Sequence, residues 1–216
     1  MERPILFSTQ MIQQILDGKK TQTRRIIKSP TGRFEVATAN YEPNAAHYYH
    51  NREVIAVDDN DHDVKTILCP YGQSGDVLWV RETWRPIFKD IRDQGSYELI
   101  DTVVDYYEYK ADKQHHVQKL IKWKPSIFMP KEASRIKLLI KDIRIEKLQQ
   151  ISWRDALAEG IATFQGQIDN CFDYLTEKYA WSNPVNSYFT LWEKINGRKS
   201  VSLNPWVWVI EFQQIK

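Results

Sequence analysis

Within the run Gly18-Lys19-Lys20-Thr21-Gln22-Thr23-Arg24-Arg25, four cations and two hydroxyls fall in the seven residues after the glycine. Three of these side chains supply the parts of an acyl-transfer site. A threonine hydroxyl is a poor nucleophile at neutral pH, but a partly desolvated lysine beside it can accept its proton. Thr23 and Arg25 share one face of an extended strand, while Arg24 between them points to the other. Arg25 is therefore placed to neutralise an oxyanion or to bind a ribose-phosphate oxygen. Lys20 is three residues from Thr23 and would face away on a regular strand. It sits at the turn after Gly18, however, and its long stem can swing to the Thr23 side. Glu159 is a third candidate. It falls in the last turn of a short helix, where the carbonyl end of the helix disfavours a carboxylate unless a cation such as Lys20 pairs with it. The plain alternative for the whole run is a solvated, positively charged strand edge.

The elements that position these groups follow from pattern. Pro4 to Ser8 reads as a first strand. Thr9 to Asp17 reads as an amphipathic helix, with Met11, Ile12, Ile15 and Leu16 at helical spacing and Thr9 as N-cap. Gly18 ends it in the left-handed conformation, and Thr21 to Ile27 is the second strand. Residues 28 to 70 lose periodicity and form a long insertion, a hairpin or a flap, that carries His47, Tyr48, Tyr49 and His50. After the Gly75-Asp76 turn, Val77 to Val80 is a strand. Tyr97 to Lys110 suits one or two strands, and Ile121-Lys122-Trp123 follows. Ala133 to Leu148 reads as one long strand bent near Lys141-Asp142. Ser152 and Asp155 form a capping box for a short helix that Gly160 closes. Further helices are expected over Asp169 to Tyr179 and over Val185 to Ile195, the second entered through Pro184 and left at Gly197. Val207 to Phe212 is a final buried strand.

A second cluster is Trp79, Arg81, Glu82 and Trp84. Trp79 and Arg81 share a strand face, a pairing suited to sandwiching a flat base. Glu82 could accept hydrogen bonds from a base amino group. The alternative is a core tryptophan beside an Arg–Glu surface pair. Trp206 and Trp208 also share a face, and packing accounts for them better.

The 216 residues suffice for one sizeable core and one domain. The hydrophobic fraction is 42%, but eight Trp, eleven Tyr and eight Phe supply buriable area and rings able to stack on bases. A net charge of +2 permits a nucleic-acid partner without requiring one. Cys69 and Cys171 stand alone, and no secretory signal or membrane span is evident, so a reduced, cytoplasmic compartment is expected. His47-x-x-His50 near Asp58, Asp59 and His62 has ligand chemistry without helical spacing; neither metal nor cofactor is expected.

Gly18, Lys20 and Arg25 match the G-x-K-x-x-E-x-R signature of ASCH domains, which are similar in fold to the PUA RNA-binding barrels. Thr23 stands where the commonest form has glutamate. The threonine form resembles the small bacterial ASCH amidohydrolases that remove the acetyl group from N4-acetylcytidine. The resemblance extends to the block from Gly75 to Trp84, to Pro125-Ser126-Ile127-Phe128-Met129-Pro130, to the block from Ile151 to Gly160 and to the block from Asn204 to Phe212. Together these resemble the larger ASCH proteins often carried by prophages. The resemblance implies an α+β fold built on a PUA-like β-barrel, with flanking helices at about 165–197 and the long insertion. It implies Lys20 as base, Thr23 as nucleophile and Glu159 as proton shuttle or as orienter of Lys20. Gly18, Arg25, Trp79, Arg81, Glu82, Ser126 and Arg135 are the expected ligand contacts, Ser126 and Arg135 resting on the family block. The implied partner is RNA or a modified nucleoside. The competing readings are a non-catalytic RNA-binding module and a ribonuclease.

Overall fold

The computed structural model describes residues 1–28, 53–57, 64–92, 99–112 and 122–215. Its centre is a five-stranded sheet in the order β1-β5-β8-β12-β2, formed by β1 (Glu2–Leu6), β2 (Gln22–Ile26), β5 (Val77–Arg81), β8 (Lys137–Lys147) and β12 (Trp206–Ile215). β1 and β5 run parallel, and the other pairs are antiparallel. β1 and β2 are its two edges, so this sheet is not closed into a barrel. The class is α+β, with many strands and few helices.

Side-chain alternation on β12 divides the interior into two cores. Trp208, Ile210 and Phe212 face one core with Ile5, Leu78, Val80 and the helix residues Ile12 and Ile15. Val207 and Val209 face the other, with Cys171, Tyr174, Tyr188 and Trp192. The ladder between β8 and β12 shifts register at Glu211/Phe212, opposite Asp142 and Ile140. This bulge gives β8 one extra residue. Ile143 and Ile145 beyond it, and Ile136, Leu138 and Ile140 before it, consequently all enter the first core.

Helix α1 (Thr9–Leu16) lies between β1 and β2. Its N-cap is Ser8 rather than Thr9, since Ser8 Oγ accepts the Met11 N–H at 3.3 Å. Asp17 is the C-cap and Gly18 follows with φ of 70°, the turn conformation expected of it. Helix α2 (Trp153–Ala158) opens on the Ser152–Asp155 capping box, ends at Glu159, and is followed by Gly160 with φ of 82°. Helix α3 (Pro184–Asn196) starts from the N-cap Asn183 and stops at Gly197.

The helix expected over Asp169 to Tyr179 is absent. In its place β10 (Gln167–Asp173) pairs antiparallel with β9 (Thr163–Phe164) and with β11 (Lys178–Trp181). Asp173 decides it: its Oδ1 accepts the N–H groups of Leu175 and Thr176, closing a local turn that competes with helix. Phe172 and Tyr179, opposite each other across the turn, then meet at 5.3 Å between ring centroids.

Two hairpins stand outside the central sheet. β3 (Glu53–Val57) and β4 (Val64–Leu68) pair inside the long insertion. Residues 29–52 and 58–63 of that insertion, including His47, Tyr48, Tyr49, His50, Asp58, Asp59 and His62, lie outside the described residues. β7 (Leu99–Tyr109) occupies the expected strand region, and its antiparallel partner is β6 (Trp84–Arg92). The pattern does not announce β6, because Pro86 and the charges of Lys89, Asp90 and Arg92 interrupt its alternation. Among the described residues no helix is long and apolar enough to cross a membrane.

Gly160 is a close-approach position as well as a turn. A Cβ there would lie 2.9 Å from Lys20 Cβ and 3.1 Å from Gln14 Cβ. Gly160→Ala should cost about 1–2 kcal/mol from the positive φ alone, with the crowding added. A lowered thermal midpoint that Gly18→Ala does not match in size would confirm the extra contact, since Gly18 has open space around its missing Cβ.

Candidate functional site

Lys20 and Glu159, distant in sequence, form an isolated antiparallel bridge. The α2 end is tied to the start of β2 by the Thr21 N–H, which donates to the Ala158 carbonyl at 2.8 Å. Lys20 Nζ donates to Glu159 Oε2 at 2.7 Å, to the Glu159 carbonyl at 2.8 Å and to the Gln22 carbonyl at 2.8 Å. An ammonium has three protons, so all its donors are engaged. The carboxylate at a helix C-terminus is thus matched by a cation that also satisfies the terminal carbonyl. Burial pulls the Lys20 ammonium below the ordinary lysine range, against the opposing pull of the Glu159 carboxylate.

The other Glu159 oxygen is held by Arg24, whose Nη1 donates to Oε1 at 3.3 Å. Arg24 lies on the opposite face of β2 from Thr23 and Arg25, as alternation requires, and reaches Glu146 at 2.9 Å and Asp155 at 3.4 Å as well. Arg144 bridges Glu146, Asp155 and Glu211 behind it. Glu159 is therefore positioned by two buried cations, and one of those is fixed in turn by a charged lattice on α2, β8 and β12.

Among the described residues β2 pairs only with β12, so no described strand covers its other edge, the open side. The Phe212 N–H donates to the Thr21 carbonyl and the Ile27 N–H to the Trp206 carbonyl. Main-chain groups of odd-numbered β2 residues thus face β12, and those of Gln22, Arg24 and Ile26 face the open side. Lys20 already occupies the Gln22 carbonyl on that side.

A cavity of about 480 Å³ runs along this edge. Leu6, Phe7, Ser8 and Met11 line it from the β1–α1 side, and Tyr188, Leu191, Trp192, Ile195 and Asn196 line it from α3. Thr23, Arg24, Arg25, Ile26 and Lys28 form the β2 wall, with Tyr71, Ser126 and Glu159 completing it. Volume and apolar walls with a few polar groups are those of a small-molecule site. Thr23 is buried. Arg25 Nη2 donates to the Leu6 carbonyl at 2.7 Å, and its guanidinium lies 5.2 Å from the Phe7 ring centroid.

Of the residues expected to form the site, Thr23, Arg25, Ser126 and Glu159 line this cavity. Lys20 stands behind Glu159, fully buried, and is not itself part of the wall. Gly18 makes the turn that delivers Lys20. Trp79, Arg81, Glu82 and Arg135 are outside the cavity wall. Arg81 stacks on Trp79 with 5.5 Å from guanidinium carbon to ring centroid, with no gap for a base. It also donates to the carbonyls of Ile127 and Met129, fixing the 3-10 turn Ser126–Phe128. Glu82 is buried and accepts two hydrogen bonds from Arg135, at 3.0 and 3.1 Å, while Arg135 packs 3.9 Å from the Tyr109 ring centroid. Burial raises the Glu82 carboxyl despite this partner. Arg81 thus shapes the loop that presents Ser126, while Glu82 is buried and pairs with the exposed Arg135.

Phe7, Arg24, Lys28, Tyr188 and Trp192 are cavity residues beyond those expected. The signal for the α3 contribution was present: Tyr188, Leu191, Trp192 and Ile195 repeat at helical spacing, a stripe indistinguishable from a core face. Among the described residues no group of three or more His, Cys, Asp or Glu side chains could hold a metal ion.

Asp155 offers a measurable test of the lattice. Burial alone would raise its carboxyl, but the Ser152 hydroxyl, Arg24 and Arg144 outweigh it and hold it below the ordinary aspartate range. A depressed carboxylate stabilises the fold above its unfolded pKa and loses that contribution as pH falls through the folded value. Asp155→Asn should therefore be less stable than wild type near pH 7, by about 1–2 kcal/mol when the lost cap is included. The gap should close as pH falls below that range, read by denaturant titration at several pH values. Comparison with known proteins finds no family model, curated protein or solved structure that matches this chain.

Proposed function

We propose that the chain is an ASCH-type protein with a PUA-like core, that it binds a modified pyrimidine nucleoside along the open edge of β2, and that it hydrolyses an N4-acyl cytidine amide there. The observation that carries this reading is the Thr23 hydroxyl on the same cavity wall as Glu159, whose carboxylate is bonded to a lysine with a lowered pKa.

In the proposed reaction Lys20, in its neutral form, takes the Thr23 proton through the Glu159 carboxylate, to which it is bonded. The threonine oxygen attacks the acyl carbon. The carbonyl π pair moves to oxygen, and the Arg24 main-chain N–H on the open edge is the donor for that oxyanion. Collapse of the adduct breaks the C–N bond, and the proton held by Lys20 passes to the departing cytosine amine. Water then cleaves the threonine ester, releasing the carboxylic acid and restoring the hydroxyl. Burial of Lys20 favours the neutral lysine that this sequence needs. Tyr188, Trp192 and Phe7 supply the flat apolar surfaces for the base.

A second reading has one observation of its own. The Lys20 ammonium has its three acceptors without Thr23, the arrangement of a structural ion pair beneath a binding cleft. That reading is a non-catalytic RNA or nucleoside module. Thr23→Ala separates the two. Incubated with N4-acetylcytidine, the wild type should release cytidine and acetate, and the variant should lose at least about 100-fold in rate while still binding the nucleoside. Turnover unchanged by Thr23→Ala would refute the threonine mechanism, and nucleoside binding without turnover by the wild type selects the module.

A further inference from the structure

Cations of the basic run divide into two sets. Lys19 pairs with Asp17, Lys20 with Glu159, and Arg24 with Glu146, Asp155 and Glu159. Arg25 and Lys28 both line the cavity, and neither meets a carboxylate among the described residues. Among the described residues Glu159 is the one acidic residue of that wall, and both its oxygens are taken by Lys20 and Arg24. Among the described residues, positive charge at Arg25 and Lys28 therefore has no carboxylate partner.

Other features favour the same sign. Arg25 is held in place through Nη2 on the Leu6 carbonyl, but its Nε has no partner. The N-terminus of α1 begins at the cavity, with Ser8 and Met11 in its lining. The Met11 and Ile12 N–H groups are satisfied by Ser8. The helix dipole adds a partial positive charge at that end. With Arg25 and Lys28 in the wall, a group with anionic oxygens is what would complete it.

We propose that the cavity takes a pyrimidine nucleoside 5′-monophosphate, with the phosphate bound by Arg25 and Lys28 beside the α1 N-terminus. The proposal rests on the nucleoside reading above and specifies its ligand. A single nucleotide suits the space: about 480 Å³, walled by Phe7 on one side and by Tyr188 and Trp192 on the other. Arg25 anchors the phosphate as a fork and Lys28 as a mobile point charge from the lip.

Isothermal titration calorimetry with cytidine, cytidine 5′-monophosphate and a six-nucleotide single-stranded RNA tests this. Cytidine 5′-monophosphate should bind at least about tenfold more tightly than cytidine. That ratio should fall with added salt, and again in Lys28→Gln and Arg25→Gln. Lys28 is exposed, so its variant should fold. Equal affinities for nucleoside and nucleotide would overturn the phosphate site and leave the nucleoside reading standing. RNA binding more tightly than the mononucleotide would overturn it in favour of a polynucleotide groove. No binding of any of the three ligands would remove both readings together.

Discussion

A buried ammonium bonded to a buried carboxylate joins the two halves of this molecule. Lys20 comes from the turn after α1, and Glu159 from the end of α2. Each would be costly alone in the interior, by several kcal/mol per charge. Together, with the Gln22 and Glu159 carbonyls filling the remaining ammonium valences, they can be sheltered from water. Their pairing ties the end of α2 to the start of β2. The close contact of Gly160 with Lys20 shows how little room the pairing leaves. What ion pairs of this kind contribute is geometric definition more than stability.

From that pair the charges spread outward in a graded way. Arg24 shares Glu159 with Lys20 and leans on Glu146 and Asp155, and Arg144 ties these to Glu211 on the last strand. Fixed charges on α2, β8 and β12 hold one carboxylate of the cavity wall still. Preorganisation of this sort lets a site act on its ligand without rearranging as charge moves. Arg81 does comparable service for the loop bearing Ser126 through the Ile127 and Met129 carbonyls.

Local chemistry made much of this legible in the sequence. Glycines at 18 and 160, the Ser152–Asp155 box and the Pro184–Gly197 bracket mark helix ends by backbone rules that tertiary context does not override. The expectation that Glu159 needs a cation came from helix electrostatics alone, and Lys20 is found against it. Long-range facts were less visible. That β2 is an edge strand, which brings Arg24 and Arg25 from opposite faces into one cavity, depends on sheet order, and no residue of β2 encodes it. Trp79 and Arg81 do share a face, but their stacking on each other leaves no space for a third plane. The segment 169–179 reads as helix by composition, and one Asp173 side chain turning back on its own backbone is enough to reverse it.

The bulge between β8 and β12 has a consequence for what variation the chain can tolerate. Its inward residues are even-numbered up to Ile140 and odd-numbered from Ile143. Substitutions at Lys141 or Asp142 leave this change of parity intact. Loss of a single residue there would straighten the strand and turn one half of its core-facing side chains outward. At that point the fold is constrained by the number of peptide units rather than by their identity.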